Sequence, residues 1–331
     1  MQWGDAMERK RAYAERLQRL QRLNTFFHPA SESLRLDRLT SDIFKPLGVE
    51  VFLVRDDRLH PMIAGNKWWK LKHVLYHAAK QEVHTLKTYG GPYSNHVLAV
   101  AAAGHLFGFR TVGWIRGDEA RPLNPVLSQA KTWGMELKPT ARDHYRTLTQ
   151  ASAIHEDPVV QSGELILPEG GRGSLAMQGV KEMMERLKLS YDLCCCPVGT
   201  GCTLAGMVLG ARAGSQVHGF VVLKGGQGLA EEVQRSLTSH PPSGASWHLH
   251  HDYHFGGYAR STPALRSFTQ AIAREGDFKP DVIYTGKMLY GLMDLIQRGI
   301  IAPSSRVVVW LTGNERTLPS SWNGRDDSTS D

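Results

Sequence analysis

The sequence predicts a mainly parallel α/β protein of two lobes, and two strand-turn-helix segments together with the chain length carry that expectation. Residues 85–89 read as a short strand, Gly90-Gly91-Pro92-Tyr93 as a turn, and Ser94-Asn95-His96 as the opening of an apolar helical run through Val97, Val100, Ala101 and Leu106. Further on, Leu193-Cys194-Cys195-Cys196-Pro197-Val198 reads as a buried strand that turns through Gly199-Thr200-Gly201-Cys202-Thr203 into a helix over 204–213. Strands alternating with helices over most of the length argue for parallel pairing. A chain of 331 residues buries a substantial core and suits two compact lobes. No internal repeat is apparent.

At the amino end, Leu17, Leu20 and Leu23 stand at helical spacing among arginines, which fits a peripheral helix, an oligomer contact or a disordered extension. Residues 1–25 hold six Lys or Arg against three Asp or Glu, so part of the net charge of +7 is local. The rest is diffuse rather than one basic stripe, which argues against nucleic-acid binding. The acidic residues of this segment speak against a transit peptide, it lacks the apolar core of a signal peptide, and no run of about 18 apolar residues offers a membrane span. A cytoplasmic protein without a membrane partner is the expectation. At the other end, Asn323-Gly324-Arg325-Asp326-Asp327-Ser328-Thr329-Ser330-Asp331 is polar throughout and is expected to be disordered.

The run Gly65-Asn66-Lys67-Trp68-Trp69-Lys70-Leu71-Lys72 sets a lysine where an extended loop meets an apolar-periodic helix. A lysine amine bonds covalently to a carbonyl only when part of its population is neutral, which needs partial desolvation or a cationic neighbour. Lys70 and Lys72 supply candidate neighbours. A lone lysine at a helix start is ordinarily a solvated surface residue, so the rest of the chain has to decide.

The two glycine-bearing turns decide it. A helix N-terminus presents unpaired N–H groups and the positive end of the helix dipole, and glycine lets the backbone approach a phosphate closely. The dinucleotide fingerprint would need glycine at position 204, which is leucine, and no G-x-x-x-x-G-K-[ST] occurs, so nucleotides are disfavoured. A candidate anchoring lysine, a turn sized for one phosphate and a Ser-Asn helix start together suggest pyridoxal 5'-phosphate. The four cysteines lie between Cys194 and Cys202 without zinc or disulfide spacing and read as small buried residues. His248, His250, His251 and His254 are expected to pack and hydrogen-bond rather than hold a metal, and Trp68-Trp69 to pack.

Seven segments in order then resemble the 1-aminocyclopropane-1-carboxylate deaminase/D-cysteine desulfhydrase family: Val54-Arg55-Asp56-Asp57, Gly65-Asn66-Lys67, Tyr89-Gly90-Gly91-Pro92-Tyr93-Ser94-Asn95-His96, Leu167-Pro168-Glu169-Gly170-Gly171, Gly199-Thr200-Gly201, Asp252-Tyr253-His254-Phe255-Gly256-Gly257-Tyr258 and Tyr284-Thr285-Gly286-Lys287. The resemblance implies the two-lobed pyridoxal-phosphate fold type II, like the tryptophan synthase β chain, and a homodimer acting on a small-molecule amino acid. It implies an N-terminal extension over 1–30, a larger cofactor-binding lobe from 31–67 and 162–320, a smaller lobe inserted at 68–161, and a disordered tail over 321–331.

Position by position, the resemblance makes Lys67 the covalent anchor and Asn95 the partner of the cofactor's ring oxygen. Gly199, Thr200, Gly201 and Thr203 match the phosphate turn, with Cys202 where glycine is usual. Ser94 matches a serine beside the substrate, and Asn95, His96 and Tyr258 fall in the substrate-binding set. Tyr258 and Tyr284 match two active-site tyrosines, and Lys67, Ser94 and Tyr284 are the catalytic candidates. Ring-opening deaminases of the family carry Glu after the second tyrosine and Leu before the final Gly-Gly, where this chain has Thr285 and Thr312. A hydroxyl beside the pyridine nitrogen leaves it neutral, which suits expulsion of a thiolate more than cleavage of a carbon–carbon bond. The expectation is therefore elimination from a D-amino acid, D-cysteine first, with ring-opening deamination of 1-aminocyclopropane-1-carboxylate or elimination from another D-amino acid as the alternative, and a catalytically silent pyridoxal-phosphate-binding protein as the alternative of a different class. The chain departs from the family at Trp69, where Arg is usual, and at Gly313-Asn314-Glu315, where Gly-Gly is usual.

Overall fold

A computed structural model describes residues 2–27, 34–117, 123–153 and 159–313. Its first elements are α1 (Gln2–Phe27), β1 (Leu36–Arg38), β2 (Glu50–Val54), α2 (Asn66–Lys80), β3 (Thr85–Gly90), α3 (Asn95–Phe107) and β4 (Arg110–Arg116). Then come α4 (Pro125–Thr132), β5 (Glu136–Thr140), α5 (Arg142–Ala153), β6 (Val159–Gln161), β7 (Glu164–Leu167) and α6 (Ser174–Glu185). The remainder is β8 (Leu193–Val198), α7 (Cys202–Gly210), β9 (Gln216–Val221), α8 (Leu229–Thr238), β10 (Ser246–His250), α9 (Pro263–Glu275), α10 (Thr285–Gln297) and β11 (Arg306–Trp310). The tail expected to be disordered, and Asn314 and Glu315, lie outside the described residues.

The chain divides into two compact units, one of Met1–Glu32 with Lys67–Gly179 and one of Ser33–Asn66 with Val180–Asp331. Both are α/β with mainly parallel sheets, as the alternating pattern predicts. In the first unit the sheet order is β5-β4-β3-β7-β6, and its one antiparallel pair is the β6–β7 hairpin. That hairpin closes through Ser162-Gly163, both at positive φ (51° and 74°), the backbone that a two-residue hairpin turn needs. Helix α3 buries Val97, Val100, Ala101, Ala103 and Phe107, small and apolar side chains that let it lie close to the strands.

The amino-terminal segment is a helix docked on this unit. Leu23 and Phe27 of α1 are buried, and the Phe27 ring meets Trp68 edge-on at 4.7 Å while Phe26 meets Phe107 at 5.1 Å. The Arg19 guanidinium donates to the carbonyls of Phe107 (3.1 Å) and Gly108 (2.9 Å) at the end of α3 and to that of Val83 (2.9 Å). A helix end leaves carbonyls without intrahelical donors, and a cation there satisfies them. No helix among the described residues is long and apolar enough to cross a membrane.

In the second unit the order is β1-β2-β11-β8-β9-β10, with only β1 antiparallel to its neighbour. Every residue of β8 is buried, which is what a central parallel strand covered on both faces requires. Cys194, Cys195 and Cys196 contribute small thiols there, and burial pushes that of Cys196 up to about 12. Helix α10 buries Met288, Leu289, Leu292 and Leu295 in a core with Phe44, Phe220, Ile272 and Val307. The helix expected at 204–213 begins two residues earlier, at Cys202, because Gly201 (φ +77°) caps it, and it stops at Gly210 as the chain turns extended at Ala211.

Candidate active site

The catalytic candidates of the first unit converge on one end of its helices. Lys67 is the second residue of α2, half-buried. One turn on, Lys70 is buried and its Nζ donates to the Gly170 carbonyl at 2.5 Å; residues three apart on a helix are neighbours, so the charge expected beside Lys67 is held in place. The His96 ring, in the first turn of α3, is fully buried and neither of its nitrogens has a hydrogen-bond partner. Burial first, and then the charges of Lys67 and Lys70, hold His96 well below the ordinary histidine range, so the imidazole is neutral. Gly171 (φ +66°) leaves the room for it, since a Cβ there would run into the ring. Ser94 is the N-cap of α3, its Oγ accepting from the Val97 N–H at 3.2 Å. Lys67, Ser94, Asn95, His96 and the loop 168–171 are thus brought together in one unit.

The second unit assembles the others. The turn 199–201 leaves β8 and enters α7 through Gly201, which makes no side-chain cap on the helix start such as Ser94 makes on α3. The Thr203 hydroxyl accepts from Asn66 Nδ2 at 2.9 Å, and Asn66 is followed in the chain by Lys67. A Cβ at Gly65 (φ +61°) would fall on the Thr312 carbonyl, so glycine is required for the loop bearing Asn66 to pass Thr312. Thr285 is buried at the first position of α10 and shares a cavity of about 590 Å3 with Arg55, Arg58, His60, Asp277 and Gly313. The rings of Tyr258 and Tyr284 meet edge-on at 6.0 Å.

Sequence reading missed the residues that hold these in place. The Asp281 carboxylate accepts the N–H groups of Ile283 (2.9 Å), Tyr284 (2.6 Å) and Thr285 (3.1 Å), which fixes the start of α10. Trp310 Nε1 donates to Asp56 Oδ2 at 2.5 Å, and the Asp56 carbonyl accepts from Gly65. Arg55 joins Asp37, Asp57 and Asp277. Arg55, Asp56 and Asp57 fall within a quoted motif, whereas Asp37, Asp277, Asp281 and Trp310 carried no local signal. The four histidines are not one cluster: the imidazole of His250 meets His218 at 3.0 Å across β9 and β10, whereas that of His254 accepts from Gly256. Trp69, standing where arginine was expected, is fully buried with Trp68 at 4.7 Å.

These residues fit pyridoxal 5'-phosphate on their own chemistry. An uncapped helix start behind a left-handed glycine suits the phosphate, Lys67 with a fixed cationic neighbour suits the covalent bond, and a buried hydroxyl at Thr285 suits a ring nitrogen.

Comparison with known proteins agrees. A family model described as pyridoxal-phosphate dependent enzyme matches residues 31–313. A Pyrococcus abyssi protein provisionally named a 1-aminocyclopropane-1-carboxylate deaminase is 29% identical over 279 residues, 79% of this chain and 84% of that one. The bifunctional D-cysteine desulfhydrase/1-aminocyclopropane-1-carboxylate deaminase of Arabidopsis thaliana is 26% identical, covering 76% of this chain and 69% of that one. Among solved structures, a homologue of 1-aminocyclopropane-1-carboxylate deaminase superposes with a TM-score of 0.70 at 23% identity, over 85% of this chain and 89% of that one. The fold is type II of the pyridoxal-phosphate enzymes. The chain belongs to the pyridoxal-phosphate dependent enzymes and uses that cofactor, and its homologues there are lyases and deaminases.

Proposed function

We propose that the protein catalyses β-elimination from a D-amino acid, with D-cysteine as the substrate of choice: D-cysteine and water give pyruvate, ammonia and hydrogen sulfide. The observation that carries the reading is the pair of hydroxyls at Thr285 and Thr312. Thr285 is buried, and its main-chain N–H is bound by Asp281, so its place at the start of α10 is fixed.

Each residue has a stated task. The first-turn N–H groups of Asn95 and His96 and the Ser94 hydroxyl bind the substrate carboxylate, because a helix start favours an anion. The His96 imidazole, buried and neutral, takes no charge from that region. Lys67, which would hold the cofactor covalently, would as a free amine at Nζ remove the Cα proton. The bound cofactor supplies an electron sink for the pair left on Cα. Tyr258 and Tyr284 flank the substrate side chain, and the Tyr284 hydroxyl hands a proton to the departing sulfur. Thr285 donates no full charge to the ring nitrogen, which suffices because thiolate is a good leaving group.

Ring-opening deamination of 1-aminocyclopropane-1-carboxylate is the second reading, supported by the names of the archaeal and plant homologues. A Thr285→Glu holoenzyme separates the two: sulfide release from D-cysteine is expected to fall and any release of 2-oxobutanoate from the cyclopropane to rise. An unchanged ratio of the two activities would remove the hydroxyl pair as the determinant.

A further inference from the structure

The most unusual cation in the molecule is Lys287. It is fully buried, and its Nζ donates to two main-chain carbonyls, those of His254 and Gly257, each at 2.8 Å. No carboxylate among the described residues pairs with it; Asp281 acts on it only through its field, and burial brings the amine down to about 8. A buried ammonium without a counter-ion is costly, and an apolar side chain would fill the same space without that cost. The reason for a lysine therefore lies in the two carbonyls.

Each of those carbonyls takes one bond from its own loop, His254 O from the Gly257 N–H at 3.0 Å and Gly257 O from the Arg260 N–H at 3.2 Å, and Lys287 supplies the second donor to both. Phe255, Gly256 and Gly257 run at φ +50°, +91° and +117°, and Ala259 at +60°. Left-handed residues in succession turn carbonyls away from any regular ladder, and here two of them converge on one point. The loop is fastened to α10 at its other end as well, where Tyr253 Oη donates to Asp294 Oδ2 at 2.6 Å. The residue that follows Gly257 is Tyr258, and its ring partner Tyr284 stands at the start of the same helix, one turn before Lys287.

We infer that Lys287 is a positioning residue, an internal cation that pins the carbonyls of His254 and Gly257 and so holds Tyr258 against Tyr284. This rests on the reading above that places Tyr258 beside the substrate. Two donors and two acceptors are the requirement, so a side chain with two N–H donors and no charge retains part of the function, whereas an apolar one of equal length has none.

The test compares wild-type, Lys287→Met and Lys287→Gln holoenzymes by hydrogen exchange of the loop amides, the absorbance of the bound cofactor, and kcat and KM. In Lys287→Met, exchange over residues 254–259 is expected to accelerate at least about tenfold, with cofactor absorbance retained. Its kcat/KM is expected to fall by about 10–100-fold, mostly in kcat, as misplacement of a side chain at the reacting centre does. Lys287→Gln is expected to recover much of both. Equal impairment of the two variants would make Lys287 a space-filling residue and overturn the inference, as would wild-type exchange in Lys287→Met. Failure of both variants to fold would also overturn it, by assigning the lysine to the core. Faster loop exchange with unaltered turnover would leave the pin standing and remove Tyr258 from the active site, which separates the failure of the functional reading from that of Lys287.

Discussion

The helix starts of α3, in one unit, and α7, in the other, are built in opposite ways. Helix α3 is capped by its own sequence, with Ser94 Oγ accepting from Val97, and it carries a buried neutral histidine in its first turn. Helix α7 is entered through a left-handed glycine with no side-chain cap. A side-chain cap partly satisfies a helix start within the protein, and an uncapped one leaves that satisfaction to a ligand. On the proposed function, a cofactor that stays bound completes α7 permanently, whereas a substrate that comes and goes requires α3 to stand without it.

The largest effect is expected from capping the uncapped helix. Gly201→Asp places an acceptor and a negative charge at the proposed phosphate turn, in a backbone at φ +77°. Cofactor affinity should drop by at least about 100-fold, read from the absorbance of the dialysed protein.

The next effect is of pH. His96 is held below its unfolded value, so below pH about 6.5 the unfolded chain takes up a proton that the folded chain refuses, and stability falls with pH. His218, lowered to about 3 by burial and by His250, acts with the same sign. At pH 5 it alone costs about 2 kcal/mol relative to neutral pH, and above pH about 7.5 neither histidine contributes a slope. Urea unfolding at pH 7.5 and 5 measures it, and equal midpoints would contradict the neutral burial of both histidines.

Ser94→Ala should lower stability by about 1 kcal/mol through loss of the cap and raise KM, while leaving the cofactor in place. Equal loss of cofactor from Ser94→Ala and Gly201→Asp would erase the distinction between the two starts. Thr203→Val, which removes the acceptor of the Asn66 bond, is expected to cost about 0.5–1.5 kcal/mol, seen in the thermal midpoint.

Much of this was legible because it rests on local signals. The strand at Leu193–Val198 coincides with β8, since a continuous apolar run bounded by glycine has few other fates. The Ser-Asn helix start and the glycine turn declared themselves by residue type. What stayed hidden depends on distant pairing. Nothing within the run Gly286-Lys287 says that the lysine points inward onto carbonyls thirty residues earlier in the chain. Likewise, Arg19 reads as one more surface arginine until α1 lies over the end of α3. Of the three fates open to the amino-terminal segment, a docked helix is the one found, because Leu23, Phe26 and Phe27 continue the leucine stripe into aromatics.

The most direct measurement is product release by the wild-type holoenzyme offered D-cysteine, L-cysteine and 1-aminocyclopropane-1-carboxylate separately, with sulfide, pyruvate and 2-oxobutanoate followed. Equal amounts of sulfide and pyruvate are expected from D-cysteine, and neither from L-cysteine. Release of 2-oxobutanoate from the cyclopropane without sulfide from D-cysteine would contradict the proposed elimination.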